Sequence, residues 1–178
     1  MTSDPDIQKK IDESQGLIKK IQLVVPGFRG YRELEDMRAA DQLLRFQVGD
    51  IVKKAEANIS DFRRQMVSKG QFFGLEPLQS LMSDIQQLYG AVVNAEEGYS
   101  GISPAIRVTQ QTLASLYSYD LTFVEAAKKL LDATSAKSQD SSAYINTVQQ
   151  LIESFRDAWQ KRIEAVEQIL VNGGQQHG

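Results

Sequence analysis

The chain has 178 residues, 42 % hydrophobic and 24 % charged, with a net charge of −3, the balance of one globular domain able to close a core rather than of a disordered chain. It has no cysteine and a single histidine, His177, which excludes disulfides, thiolate nucleophiles, cysteine metal sites and Ser-His-Asp catalysis. The mild negative charge gives no general attraction to nucleic acid.

The first helix is predicted to start near Asp4 or Pro5, a capping residue followed by a first-turn proline. Its apolar stripe is Ile7, Ile11, Ile18, Ile21 and Val25, with Ser14 filling the slot between the second and third. Pro26-Gly27 ends it. The second helix begins after Gly30 and runs to about Lys69. Its stripe reads Leu34, Met37, Asp41, Leu44, Val48, Ile51, Ala55, Asn58, Phe62 and Met66 in alternating steps of three and four. At 1.5 Å per residue this element is about 55–60 Å long. Gly49, inside it, marks a bend or a close helix contact. In the turn Gly70-Gln71-Phe72-Phe73-Gly74 the two phenylalanines are expected to plug the end of the core.

A third helix, from about Leu75 to Pro77 as far as Glu97-Gly98, carries Leu78, Leu81, Ile85, Leu88 and Val92. Ser103-Pro104 opens the approach to the fourth, whose stripe is Leu113, Leu116, Asp120, Phe123, Ala127 and Leu130, supported by Tyr117, Val124 and Leu131. Residues 135–142 are small and polar and read as a loop. The fifth helix follows with Ile145, Val148, Ile152, Phe155, Trp159, Val166 and Leu170 on one side. No stretch has the period-two alternation of a strand. These features predict an all-α, elongated up-down bundle of about five helices with coiled-coil-like packing. It would be a single domain over residues 1–171, followed by a disordered tail, 172–178.

Little in the chain carries chemistry. Di-iron bundles need Glu-x-x-His pairs on facing helices, and the lone His177 cannot supply them. No phosphate-binding loop motif occurs. No cofactor is expected. The turn Gly27-Phe28-Arg29-Gly30 has two readings: with Arg29 and Arg32 at a helix N-terminus it can hold an anion, or its glycines merely supply turn geometry.

Asp41 and Asp120 lie on apolar stripes, where a carboxylate is costly unless paired or hydrogen-bonded. Arg38 and Arg45 share the face of Asp41. Arg107 belongs near the start of the fourth helix, and Tyr117 and Tyr119 stand beside Asp120 as candidate donors. One reading is a polar pocket between helices two and four for a small polar ligand. The other is a buried salt-bridge network that fixes helix register.

The lysines Lys9, Lys10, Lys19 and Lys20, and the pair Arg63-Arg64, are interrupted by Asp12, Glu13 and Asp61, the pattern of a solvated face. The first helix pairs lysines with an isoleucine stripe, so contact with an anionic membrane surface stays open. The opening Met1-Thr2-Ser3-Asp4-Pro5-Asp6 is unlike a secretory signal, and no apolar run approaches the about 18 residues of a membrane span, so a cytoplasmic location is expected.

Two stretches have a motif-like character. One is Pro26-Gly27-Phe28-Arg29-Gly30-Tyr31-Arg32-Glu33, running on to Arg38, Asp41 and Arg45. The other is Gly98-Tyr99-Ser100-Gly101 followed by Leu116-Tyr117-Ser118-Tyr119-Asp120. Together they resemble a family of small all-helical microbial proteins with no established activity, over most of residues 20–131. The resemblance implies neither a catalytic residue nor a cofactor. The expected role is a non-enzymatic helical interaction or scaffold protein, with a protein partner or self-association. Its contacts are expected on the first helix and the ends of helices two and five.

Overall fold

A computed structural model describes residues 5–31, 34–95, 110–136, 138 and 140–174. The chain is all-α, with five helices and no strand among the described residues: α1 (Pro5–Gln22), α2 (Leu34–Ser68), α3 (Leu75–Val93), α4 (Gln110–Ser135) and α5 (Ser141–Gly174). Gly98-Tyr99-Ser100-Gly101, Ser103-Pro104, Arg107 and Arg32 lie outside the described residues, as do the side chains of Ile7, Leu34 and Leu170. Helix α5 continues to Gly174, past the expected tail boundary at Asn172. No helix is long and apolar enough to cross a membrane among the described residues.

The packing divides into two compact units. The first comprises residues 1–44, 96–124 and 158–178, and so takes α1 and parts of α2, α4 and α5. The second comprises residues 45–95 and 125–157, with α3 and the remaining parts of the same three helices. Each is a bundle of helix segments closed by its apolar stripes.

In the first unit the core is built from Ile21, Val25, Phe28, Leu44, Leu116 and Phe123, each fully buried. Helix α1 ends as expected: Val25 N–H reaches back to the Ile21 carbonyl at 2.8 Å, after which Pro26 and Gly27 lead the chain away. Phe28, between two glycines of positive φ, drops into the core and packs edge-on against Tyr31 and Tyr117. Gly30 is required here twice over. Its φ is +80°, and a Cβ would sit 2.7 Å from the Tyr117 hydroxyl.

In the second unit α3 buries Leu78, Leu81, Ile85, Leu88 and Val92, the stripe expected from spacing alone. The facing part of α2 buries Val48, Val52, Ala55 and Ile59. Val52 and Ile59 replace Ile51 and Asn58 of the expected stripe, which are only half-buried. A helix of 3.6 residues per turn drifts away from a strict three-and-four alternation, so the buried face moves by one residue over several turns. Asn58 instead faces the α4 end, donating to Thr134 and Ser135 hydroxyls at 3.3 and 3.1 Å. Gly49 marks a close contact: a Cβ there would lie 2.7 Å from a Val93 methyl and 3.3 Å from the Tyr89 ring. Asp140 caps α5, accepting from the N–H groups of Ser142 and Ala143 at 3.0 and 3.1 Å.

The turn between α2 and α3 departs from expectation. Phe72 and Phe73 are 68 % and 84 % exposed, so neither plugs the core. The reason lies beneath Gly74, where Ile145 and Met66 approach to 3.1 and 3.7 Å of a notional Cβ. Those side chains pack beneath the turn at Gly74, and Phe72 and Phe73 stay outside them.

Candidate functional site

Asp41 and Asp120 meet in the first unit, 3 % and 0 % exposed. Each occupies an inward position because its helix stripe carries it there. The group that joins them is Arg162 of α5, 2 % exposed. Its Nη2 donates to Asp41 Oδ1 at 2.6 Å, and its Nε donates to Asp120 Oδ1 at 2.7 Å. The other oxygen of Asp120 accepts from the Tyr31 hydroxyl at 2.5 Å. Tyr31 is fixed in turn by its backbone N–H, which donates to the Tyr117 hydroxyl at 2.8 Å, and by stacking on the Tyr117 ring at 5.3 Å. The Arg162 guanidinium also lies 5.8 Å from the centres of Phe123 and Trp159, favourable for a desolvated cation.

This is a charge cluster taken wholly out of water, with one guanidinium serving two carboxylates. Burial pushes the Asp120 carboxyl above its ordinary range. The Arg162 charge and the hydrogen bonds from Tyr31 and Arg162 pull it down, while neighbouring Asp41 adds to the rise.

The other sequence candidates go elsewhere. Tyr119 is 39 % exposed, and it is Tyr31 that donates to Asp120. Two residues rotate a helix by about 200°, which carries Tyr117 inward and Tyr119 outward, so nearness to Asp120 in sequence does not place a side chain beside it. Arg45, 3 % exposed, donates through Nη1 to the carbonyls of Val92, Val93 and Ala95 at 3.1, 3.4 and 3.1 Å. It thereby caps the last turn of α3, where carbonyls lack intrahelical partners and a cation suits the helix dipole. Arg38 and Arg29 are both exposed.

Spacing left Arg162 out, although the signal was there. The α5 stripe steps from Phe155 to Trp159 and then to Val166, and Arg162 fills the skipped position. A cation on an apolar stripe pairs naturally with carboxylates on two others.

Among the described residues no group of three or more histidines, cysteines or acidic residues is placed to hold a metal ion. Comparison with family models, with curated proteins and with solved structures returned no match.

Proposed function

We propose that this chain is a non-enzymatic helical interaction protein, and that the α2–α3 turn is its principal contact. The observation that carries this is the pair Phe72 and Phe73, adjacent and largely exposed. The turn holding them is ordered by hydrogen bonds: Gln71 N–H donates to the Met66 carbonyl at 2.9 Å and Gly70 N–H to that of Val67 at 3.0 Å. Burying a phenylalanine side chain is worth about 1.5–3 kcal/mol. Two such side chains held in water on a defined turn are a contact in waiting.

The buried cluster supports the same reading. Asp41, Asp120 and Arg162 are satisfied by one another and by Tyr31, and a ligand or substrate there would have to displace one of these partners.

The test is sedimentation velocity over a wide concentration range, comparing the wild type with a Phe72→Ser/Phe73→Ser variant. The wild type is expected to gain mass with concentration and the variant to stay monomeric with unchanged helical circular dichroism. A wild type that is monomeric throughout, and that captures no partner the variant loses, refutes the proposal.

A further inference from the structure

The first unit also contains a cleft of about 420 Å³ between α1, the segment preceding α2 and the start of α4. A volume of this size falls within the range of small-molecule sites. Ile11 and Ile18 of α1 and Leu113 of α4 give it an apolar wall. The tyrosines Tyr31 and Tyr117 form part of its lining, stacked nearly parallel at 9°. The buried cluster behind them holds those rings in place, since Tyr31 is tied at its hydroxyl to Asp120 and at its backbone to Tyr117.

Ser14, Gln15 and Arg29 interrupt this lining, and Ser14 and Arg29 are unexplained by packing. Ser14 is 7 % exposed, and its hydroxyl has no hydrogen-bond partner. It occupies a stripe position of α1 where alanine would fill nearly the same space without burying a polar atom. Arg29 lies on the lining with an exposed side chain and, among the described residues, no ion pair or hydrogen bond. The geometry of a free guanidinium suits bidentate capture of a carboxylate.

We propose that this cleft binds a small amphipathic monocarboxylate. Arg29 takes the carboxylate, and the apolar wall of Ile11, Ile18 and Leu113 takes an aliphatic or aromatic body. The site is independent of the Phe72–Phe73 contact, which belongs to the second unit.

The experiment uses the full chain with 1-naphthoate and octanoate as probes, followed by calorimetry and by amide chemical shifts. Neutral 1-naphthalenemethanol is the control. Saturable binding of at least one carboxylate is expected, with the alcohol weaker. Arg29→Gln is expected to weaken carboxylate binding about tenfold, as for loss of one charge-assisted hydrogen bond, and to leave the alcohol unchanged. Gln15→Trp, placed at an exposed lining position, is expected to obstruct the cleft and abolish binding. Circular dichroism checks that each variant is folded. Absence of saturable binding by both carboxylates overturns the proposal. Affinity unchanged in Arg29→Gln or in a folded Gln15→Trp variant overturns it equally.

Discussion

Replacing Arg162 by methionine keeps most of the side-chain volume but leaves Asp41 and Asp120 buried together without a cation. Arg162 contacts the two carboxylates at 2.6 and 2.7 Å, and all three side chains are at most 5 % exposed. Removing one partner from such a buried arrangement costs about 3–5 kcal/mol, because an uncompensated charge stays behind. The exposed pair Lys128–Asp132, about half in water on both sides, would cost about 0–1 kcal/mol on the same change. Against a domain stability on the order of 5–15 kcal/mol, Arg162→Met removes a large share. Asp120→Asn behaves differently. It leaves one cation facing one carboxylate, and the amide oxygen can still accept from Arg162, so the expected cost is under about 1.5 kcal/mol. Adding both Asp→Asn changes to Arg162→Met removes the orphaned charges and is expected to recover roughly half of the loss.

The pH dependence gives a second handle on the same cluster. Burial raises Asp120 above the ordinary value of about 3.8. Between that value and its folded-state pKa the native protein holds a proton that the unfolded chain has released. Stability therefore falls as pH rises through that window, and Asp120→Asn removes this slope. Urea unfolding followed by fluorescence suits the series, because Trp159, the sole tryptophan, lies beside Arg162. If Arg162→Met unfolds within about 1 kcal/mol of the wild type, or Asp120→Asn costs as much as Arg162→Met, the charge-balance reasoning is wrong.

Three further outcomes are expected. Gly49→Ala gains about 1 kcal/mol of helix propensity but meets the stiff Val93 side chain at 2.7 Å; a net loss of about 1–2 kcal/mol is expected, relieved by adding Val93→Ala, in denaturant titrations. Gly16→Ala, in α1 with open space around it, is expected to stabilise by about 0.5–1 kcal/mol, read as a raised melting temperature. Burial pushes the Tyr144 hydroxyl up from 10.0 to about 12, and it donates to the Thr134 carbonyl at 3.2 Å. Its ionisation should fall above the ordinary tyrosine range in an ultraviolet titration, in a component that Tyr144→Phe removes. Folding should lose stability as pH rises from about 10 to 12, and Tyr144→Phe should remove that component.

Much of the helical architecture was legible because burial repeats along a helix with a fixed period. The α3 stripe and the inward positions of Asp41 and Asp120 follow from spacing alone. What joined the aspartates did not follow from local spacing. Their shared partner stands 121 and 42 residues away along the chain, and helical periodicity says which face a residue occupies without saying which faces meet. The near neighbours in sequence were the wrong guide: Arg45 serves the end of α3, and Tyr119 faces outward. Phe72 and Phe73 show the opposite failure. Apolar character predicted burial, but Met66 and Ile145 pack beneath Gly74 and the two rings stay outside them.

The cluster around Arg162 has a consequence for the order in which the chain is made. Tyr31, Asp41 and Asp120 leave the ribosome before Arg162 of α5, which follows them in the sequence. Until then, the segments that will form the first unit hold two inward carboxylates and no cation to receive them. Closing over those carboxylates early would be costly, so the packing of this unit waits for α5. A chain arrested or cut before Arg162 would keep those segments loose and open to quality control.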